Sequence, residues 1–325
     1  MFFDCHHPHI CYIGRWGQEK EFPNRISATA CGSKIRFAFS GRELVLFFDM
    51  EGNEETLPHL YISLDGGPRT ESTLQQFIRV DAMTDGAHTV EVIYKSAVEV
   101  QSRWFMPLVG KVSFKGFSAD AILPPPPSEK KTIELVGDSI TEGVLIDAKL
   151  LETNGGQPCR PFQDDVTATY GYLTAEALGL EPYCMGYGAV GATKAGCGAV
   201  PKCAESYPYA FDGVEKNYSN CDYILINHGA NDRRAGAECY IEEYEKLLDL
   251  VTAKNPRSKI IVLSAFCGAH HEELGELVQR YNEMHQTDIA FIDSFGWVPA
   301  EPLHPLREGH KILAEHLIPL VQKYL

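Results

Sequence analysis

The chain divides into two stretches whose apolar residues repeat with different periods. In the first, short apolar runs alternate with turn residues. "KIRFAFSG" from Lys34, "ELVLFFDM" from Glu43, "HLYISLDGG" from His59, "HTVEVIYKSA" from His88 and "KVSFKGFSAD" from Lys111 are rich in Val, Ile, Phe and Tyr and are bounded by Gly, Asp and Asn. These are the marks of strands. No convincing helical pattern lies among them, so this half is expected to be an all-β sandwich or jelly roll.

In the second stretch strands and helices take turns. "TIELVGD", "EPYCMGYG", "CDYILINHG", "SKIIVLSAF" and "DIAFIDSF" read as five strands. Between and after them, "YIEEYEKLLDLVTAKN" spaces Ile241, Tyr244, Leu247, Leu248 and Val251 as one helical face, and "HEELGELVQRYNEM" and "EGHKILAEHLIPLVQKYL" behave alike. Such alternation predicts a parallel sheet covered by helices on both faces. Ligand sites in these sheets lie at the C-terminal ends of the strands. "LPPPPSEKK", Leu123 to Lys131, separates the halves, and its four prolines favour stiff, extended chain. The expected organisation is a β-sandwich over residues 1–122, a linker over 123–131 and an α/β domain over 132–325.

Composition narrows the partners. A formal charge of −15 repels nucleic acid and anionic lipid, so a neutral substrate is the easier fit. "MFFDCHHPHICYIG" has neither the basic nor the apolar region of a signal peptide, and no apolar run approaches a membrane span. Ten cysteines without a CxxC pair are most simply reduced thiols, which places the protein in the cytoplasm. "CHHPHIC", Cys5 to Cys11, has metal-friendly residues, but they are crowded and lack a distant second pair, so an extended segment is expected instead of zinc.

Four short motifs fall at strand ends. "GDSITEG" follows the first strand of the second half and puts Ser139 at the top of the sheet. "GYGAVGAT" puts Gly191, where backbone can approach a bound group, after the second. "HGANDRR" puts the Asn231 amide after the third. "WVPAEPLHPLREGH" puts His304 in a loop after the fifth, before the last helix. Singly, each is also a plain turn, cap or surface residue. Together they supply one nucleophile, oxyanion donors and one base, the minimum set for acyl transfer without metal or organic cofactor.

"GDSITEG", "GAVGAT", "GAND" and "EPLHP" resemble the four blocks of the SGNH (GDSL-type) hydrolases, over about residues 130 to 325. The resemblance implies a flavodoxin-like three-layer α/β/α domain. The β half in front of it, with "GRELVLFFDM" and "YISLDGG", is similar to the jelly-roll-plus-SGNH layout of carbohydrate esterase family two and related acetylesterases. Carried over by position, Ser139 would be the nucleophile and His304 the base. The N–H groups of Ser139 and Gly191 and the Asn231 side chain would form the oxyanion hole. His310 does not match the catalytic position and is expected to pack or cap its helix. Asp138 and Asp232 are expected to make structural hydrogen bonds. Tyr187 and Trp297, whose aromatic faces suit sugar rings, and His270, which follows the fourth strand beside His271, are candidates for lining the pocket; local packing is the competing reading for the two aromatics and a polar helix start for His270.

One residue departs from the family pattern. Where the family has Asp three residues before the histidine, this chain has Glu301. Either Glu301 completes a triad by orienting the imidazole, the reading the motif favours, or backbone holds His304 in a Ser–His dyad. The function expected is a carbohydrate O-deacetylase acting on short oligosaccharides. A lipid or thioester hydrolase on the same domain, or an inactive sugar-binding protein, are the alternatives. A triad predicts that Glu301→Ala lowers kcat by orders of magnitude in steady-state ester hydrolysis; a change of only a few-fold would favour the dyad.

Overall fold

A computed structural model describes residues 1–54, 56–125, 128–148 and 161–325. Two of the linker prolines, Pro126 and Pro127, lie outside the described residues. The first half is built from β1 (Phe2–Asp4), β2 (Cys11–Ile13), β3 (Ile26–Ala28), β4 (Lys34–Ser40), β5 (Glu43–Asp49), β6 (His59–Leu64), β7 (Thr70–Thr73), β8 (Phe77–Asp81), β9 (Ala87–Ser96), β10 (Val112–Ser118) and β11 (Ala121–Leu123). One antiparallel sheet runs β1-β10-β5-β8 with β3 also on β10; the other runs β11-β4-β9-β6-β7 with β2 also on β4. Alternate residues such as Leu44, Leu46 and Phe48 of β5 and Phe37 and Phe39 of β4 are buried between the sheets, the period-two pattern of a sandwich. The five strands legible in the sequence are the long ones; β1, β2, β3 and β11 have three residues each and carry too little pattern to be read.

The second half contains β12 (Thr132–Gly137), α1 (Ser139–Glu142), α2 (Tyr170–Ala177), β13 (Glu181–Gly186), α3 (Cys203–Ser206), β14 (Tyr209–Phe211), β15 (Val214–Glu215), β16 (Tyr223–Asn227), α4 (Ala237–Lys254), β17 (Lys259–Leu263), α5 (His271–His285), β18 (Ala290–Ile292) and α6 (Arg307–Val321). The main sheet is parallel in the order β13-β12-β16-β17-β18. That is the flavodoxin-like arrangement, whose order reverses beside β12. Tyr223 and Leu225 of β16 pack with Tyr172 of α2 and Leu313 and Leu317 of α6. Ile224 and Ile226 face the other way, toward Leu247 and Leu248 of α4 and Leu277 of α5. Three α/β/α layers result. No described helix is long and apolar enough to cross a membrane.

The two halves share one interior. The cluster that holds Phe37 and Phe117 of the sandwich continues to Leu135, Tyr170 and Leu313 of the α/β domain. Charges reinforce the seam. Glu134, in the middle of the central strand β12, is fully buried and would be costly there unpaired. Arg15 of the β domain donates to it at 2.9 Å, Lys216 at 3.0 Å, Tyr207 at 2.8 Å and Tyr218 at 2.5 Å. Burial pushes this carboxyl up, but Lys216 and Arg15 outweigh that and hold it at about 2. Arg36 reaches Glu181 of β13 at 2.8 Å, Lys34 also pairs with it, and Tyr61 donates to Asp165 at 3.1 Å. Removing one partner of a buried ion pair leaves the other charge under-compensated. Arg15→Met is therefore expected to cost about 3 kcal/mol, and the shared core predicts one urea transition followed by both near-UV and far-UV circular dichroism. Two separate transitions would contradict the continuous interior.

Candidate active site

The site forms where the strand order reverses. β12 ends at Gly137, and a Cβ there would lie 2.0 Å from Thr141 Oγ1, so only glycine lets the chain turn this sharply into α1. Asp138 is the N-cap: its side chain accepts the N–H of Ile140 at 2.9 Å. Ser139 is the first residue of the helix and is only 4% exposed. Its Oγ lies 2.7 Å from Nε2 of His304, in the loop before α6. The expected serine and histidine, 165 positions apart, are thus in hydrogen-bond contact, with the hydroxyl donating when Nε2 carries the lone pair.

The other two motifs close around this pair. The Asn231 amide donates to Asp138 Oδ2 at 3.1 Å and to the carbonyl of Val190 at 3.0 Å. Asp232 clasps the loop after β13 by accepting the N–H groups of Ala192 at 3.0 Å and Thr193 at 2.8 Å, and the Thr193 hydroxyl at 2.7 Å. A Cβ on Gly191 would stand 2.6 Å from this carboxylate, which explains the glycine. The Gly191 N–H donates to the carbonyl of Lys194 at 3.1 Å. The hydrogen bonds expected of Asp138 and Asp232 are both present. Of the proposed oxyanion donors, Asn231 thus touches the serine's N-cap, and Gly191 lies against Asp232, the next residue after Asn231.

The helix that follows the His304 loop is tied down at its start. Arg307 donates to Asp147 at 2.8 Å and to Asp165 at 3.0 Å. His310 is buried and accepts the N–H of Tyr170 at 3.1 Å through Nδ1, so it caps the neighbouring helix α2 and not its own. Burial pushes its imidazole down to about 3, leaving it neutral. Tyr170 in turn meets Thr141 of α1 at 2.9 Å.

Of the remaining candidates, Tyr187 departs from its expected place. Glu301 is exposed, in the irregular loop before α6 that also carries His304. Tyr187 is 1% exposed, with its hydroxyl 2.9 Å from Thr29 of the β domain, so it is a seam residue and not a pocket wall. Trp297 lies half-buried against His316 of α6, with ring centroids 5.2 Å apart. His270 donates to the Asp232 carbonyl at 3.1 Å and stacks on Tyr240, behind the Asn231 loop. At the N-terminus, His6 contacts the Pro23 carbonyl and His7 accepts the His9 N–H; among the described residues no group of His, Cys, Asp and Glu is gathered as a metal ion would require.

A parallel sheet with a strand-end serine in contact with a loop histidine has the architecture and the polar pair of an α/β ester hydrolase. The chain belongs to the GDSL-like lipase/acylhydrolase family, which matches residues 135–312, more than half its length. Among solved structures it is similar to a family two carbohydrate esterase from Clostridium thermocellum in complex with cellohexaose, at 21% identity over 97% of this chain and 98% of that one, TM-score 0.78. A family two carbohydrate esterase from Cellvibrio japonicus is similar at 19% identity over 99% and 97%, TM-score 0.78. So is an acetyl xylan esterase from the rumen bacterium Butyrivibrio proteoclasticus, at 16% identity over 100% and 99%, TM-score 0.76. These likenesses span both halves, so the jelly-roll-plus-SGNH layout expected from the sequence is the fold observed. No curated protein matches the chain.

The electrostatics of the cap give a test. Burial pushes the Asp138 carboxyl up to about 7; the Ile140 N–H opposes this, and the charge of Asp232 adds to it. The ordinary value is 3.8, so the folded chain holds this proton more tightly than the unfolded one. Stability is then lost as pH rises from about 4 through about 7, and the penalty is complete above that. Asparagine caps as well and carries no charge. The melting temperature of Asp138→Asn minus that of wild type is expected to rise between about pH 5 and about pH 8. A difference that stays constant in thermal melts at the two pH values would contradict the raised carboxyl.

Proposed function

We propose that the protein is a serine esterase that removes short acyl groups, acetyl foremost, from carbohydrates. The observation that carries this reading is the 2.7 Å contact between Ser139 Oγ and His304 Nε2 at the C-terminal end of the parallel sheet. The two-domain likeness to family two carbohydrate esterases supports the substrate class. His304 takes the serine proton as Ser139 attacks the ester carbonyl. The oxygen that becomes negative is received by the N–H groups of Ser139 and Gly191 and by the Asn231 amide. Such donors are typically worth ~10²–10³ in rate each. Gly191 and Asn231 exchange their present carbonyl partners for the substrate, a tightening common on forming a Michaelis complex. The sugar hydroxyl leaves with the proton held by His304. Water, deprotonated by the same imidazole, then releases the acid from Ser139. Glu301, exposed in its loop, has no part in orienting the imidazole in this scheme. Nine free thiols among the described cysteines suit a reducing compartment, and we place the enzyme in the cytoplasm, acting on short soluble glycans.

Hydrolysis of para-nitrophenyl acetate, butyrate and octanoate tests the reading. Turnover should be fastest on acetate, fade with chain length and vanish in Ser139→Ala, and acetylated oligosaccharides should release acetate. Preference for octanoate would replace the carbohydrate reading with a lipase. In the same assay Glu301→Ala should change kcat by no more than a few-fold.

A further inference from the structure

The β domain reaches the nucleophile's own helix. Helix α1 has four residues, all buried, and Glu142 is its last. The Arg103 side chain, from the loop between β9 and β10, meets Glu142 with Nη1 2.6 Å from Oε1; the two side chains are 0% and 2% exposed. The same guanidinium donates to the Thr29 carbonyl at 3.3 Å, touches the Cys31 sulfur at 3.8 Å and lies 5.4 Å from the ring centre of Tyr187. Tyr187 follows β13 and leads into the loop that carries Gly191. One cation therefore braces both the serine helix and the entry to the glycine loop.

We propose that Arg103 is a positioning residue for the esterase reaction: by holding Glu142 it fixes the helix that begins at Ser139, so the active site is assembled only with the β domain in place. This rests on Ser139 being the nucleophile. Two observations separate the role from plain domain adhesion. The seam is already tied elsewhere, by Arg15 to Glu134 and by Arg36 to Glu181. The Arg103–Glu142 pair is also poorly built for stability. Among the described residues, Nε and Nη2 of Arg103 and Oε2 of Glu142 are buried without hydrogen-bond partners, and a buried pair of this kind is often no more stable than apolar side chains of like size. What the charged pair supplies that apolar groups would not is a directional link, and small displacements of a reacting group are expensive in rate.

The test uses the full chain and the double variant Arg103→Met/Glu142→Met, which leaves no buried charge unpaired. Its melting temperature should stay within a few degrees of wild type. Its kcat on para-nitrophenyl acetate should fall about tenfold or more with KM changed less than about threefold, and labelling of Ser139 by a fluorophosphonate should slow in parallel. A purely structural role would leave kcat per folded molecule unchanged, and that result overturns the proposal. Should the double variant fail to fold, Arg103→Lys and Arg103→Met are compared at equal folded fraction by circular dichroism. Wild type above lysine above methionine in kcat supports positioning; equal kcat in all three overturns it. Absence of Ser139-dependent turnover in the wild type would instead remove the esterase reading, and this inference with it.

Discussion

A helix of four residues cannot hold itself together, because its ordering cost is met by hardly any internal hydrogen bonds. Ser139 stands on such a helix, so its position depends on what grips the helix from outside. Three grips are visible, from three parts of the chain. Asp138 caps the start, Tyr170 of α2 holds Thr141 at 2.9 Å, and Arg103 of the β domain holds Glu142 at 2.6 Å. His304 is tied to the same frame, since His310, one helical stretch further on, accepts the N–H of Tyr170. Serine and histidine are thus brought to 2.7 Å by a chain of polar contacts that runs Thr141, Tyr170, His310.

The same logic governs the seam. Glu134 faces into the sheet where an apolar residue would ordinarily sit, and its charge is tolerable only because Arg15, Lys216 and two tyrosine hydroxyls surround it. Arg15 comes from the β domain, so burying Glu134 and docking the two domains are one event. The continuous apolar interior makes the same demand by a non-directional force. The β domain is on this account docked as one body with the α/β domain, and the likeness in fold to the solved structures likewise extends over both.

The acidic surroundings of the site follow from its geometry. Asp138 and Asp232 are both buried, and burial first and the charge of Asp232 second raise the Asp138 carboxyl, yet each serves as an acceptor: one caps α1 and receives the Asn231 amide, the other clasps Ala192 and Thr193. The loops that carry Gly191 and Asn231 are therefore ordered by carboxyl groups, and Asn231 is held against the serine's N-cap.

The long strands, the three amphipathic helices and the order of the four motifs were legible in the sequence, because side-chain period and turn chemistry are local properties. Helix α2 was not, since Tyr170, Gly171, Tyr172, Thr174 and Ala175 are all buried and leave no one-sided stripe to read. The orientation of Glu301 was not legible, because it stands in an irregular loop whose side-chain directions no sequence period sets. The place of Tyr187 was not legible because an aromatic side chain finds its partners, here Thr29 and Ala210, by tertiary packing. By itself the sequence determined which residues stand at which strand ends, and so the chemistry available. Only the tertiary structure decided which charges meet: Arg15 and Glu134 are 119 positions apart and Ser139 and His304 are 165 apart. No local pattern encodes such pairs, because the force that joins them acts only after the shared core has brought both ends together.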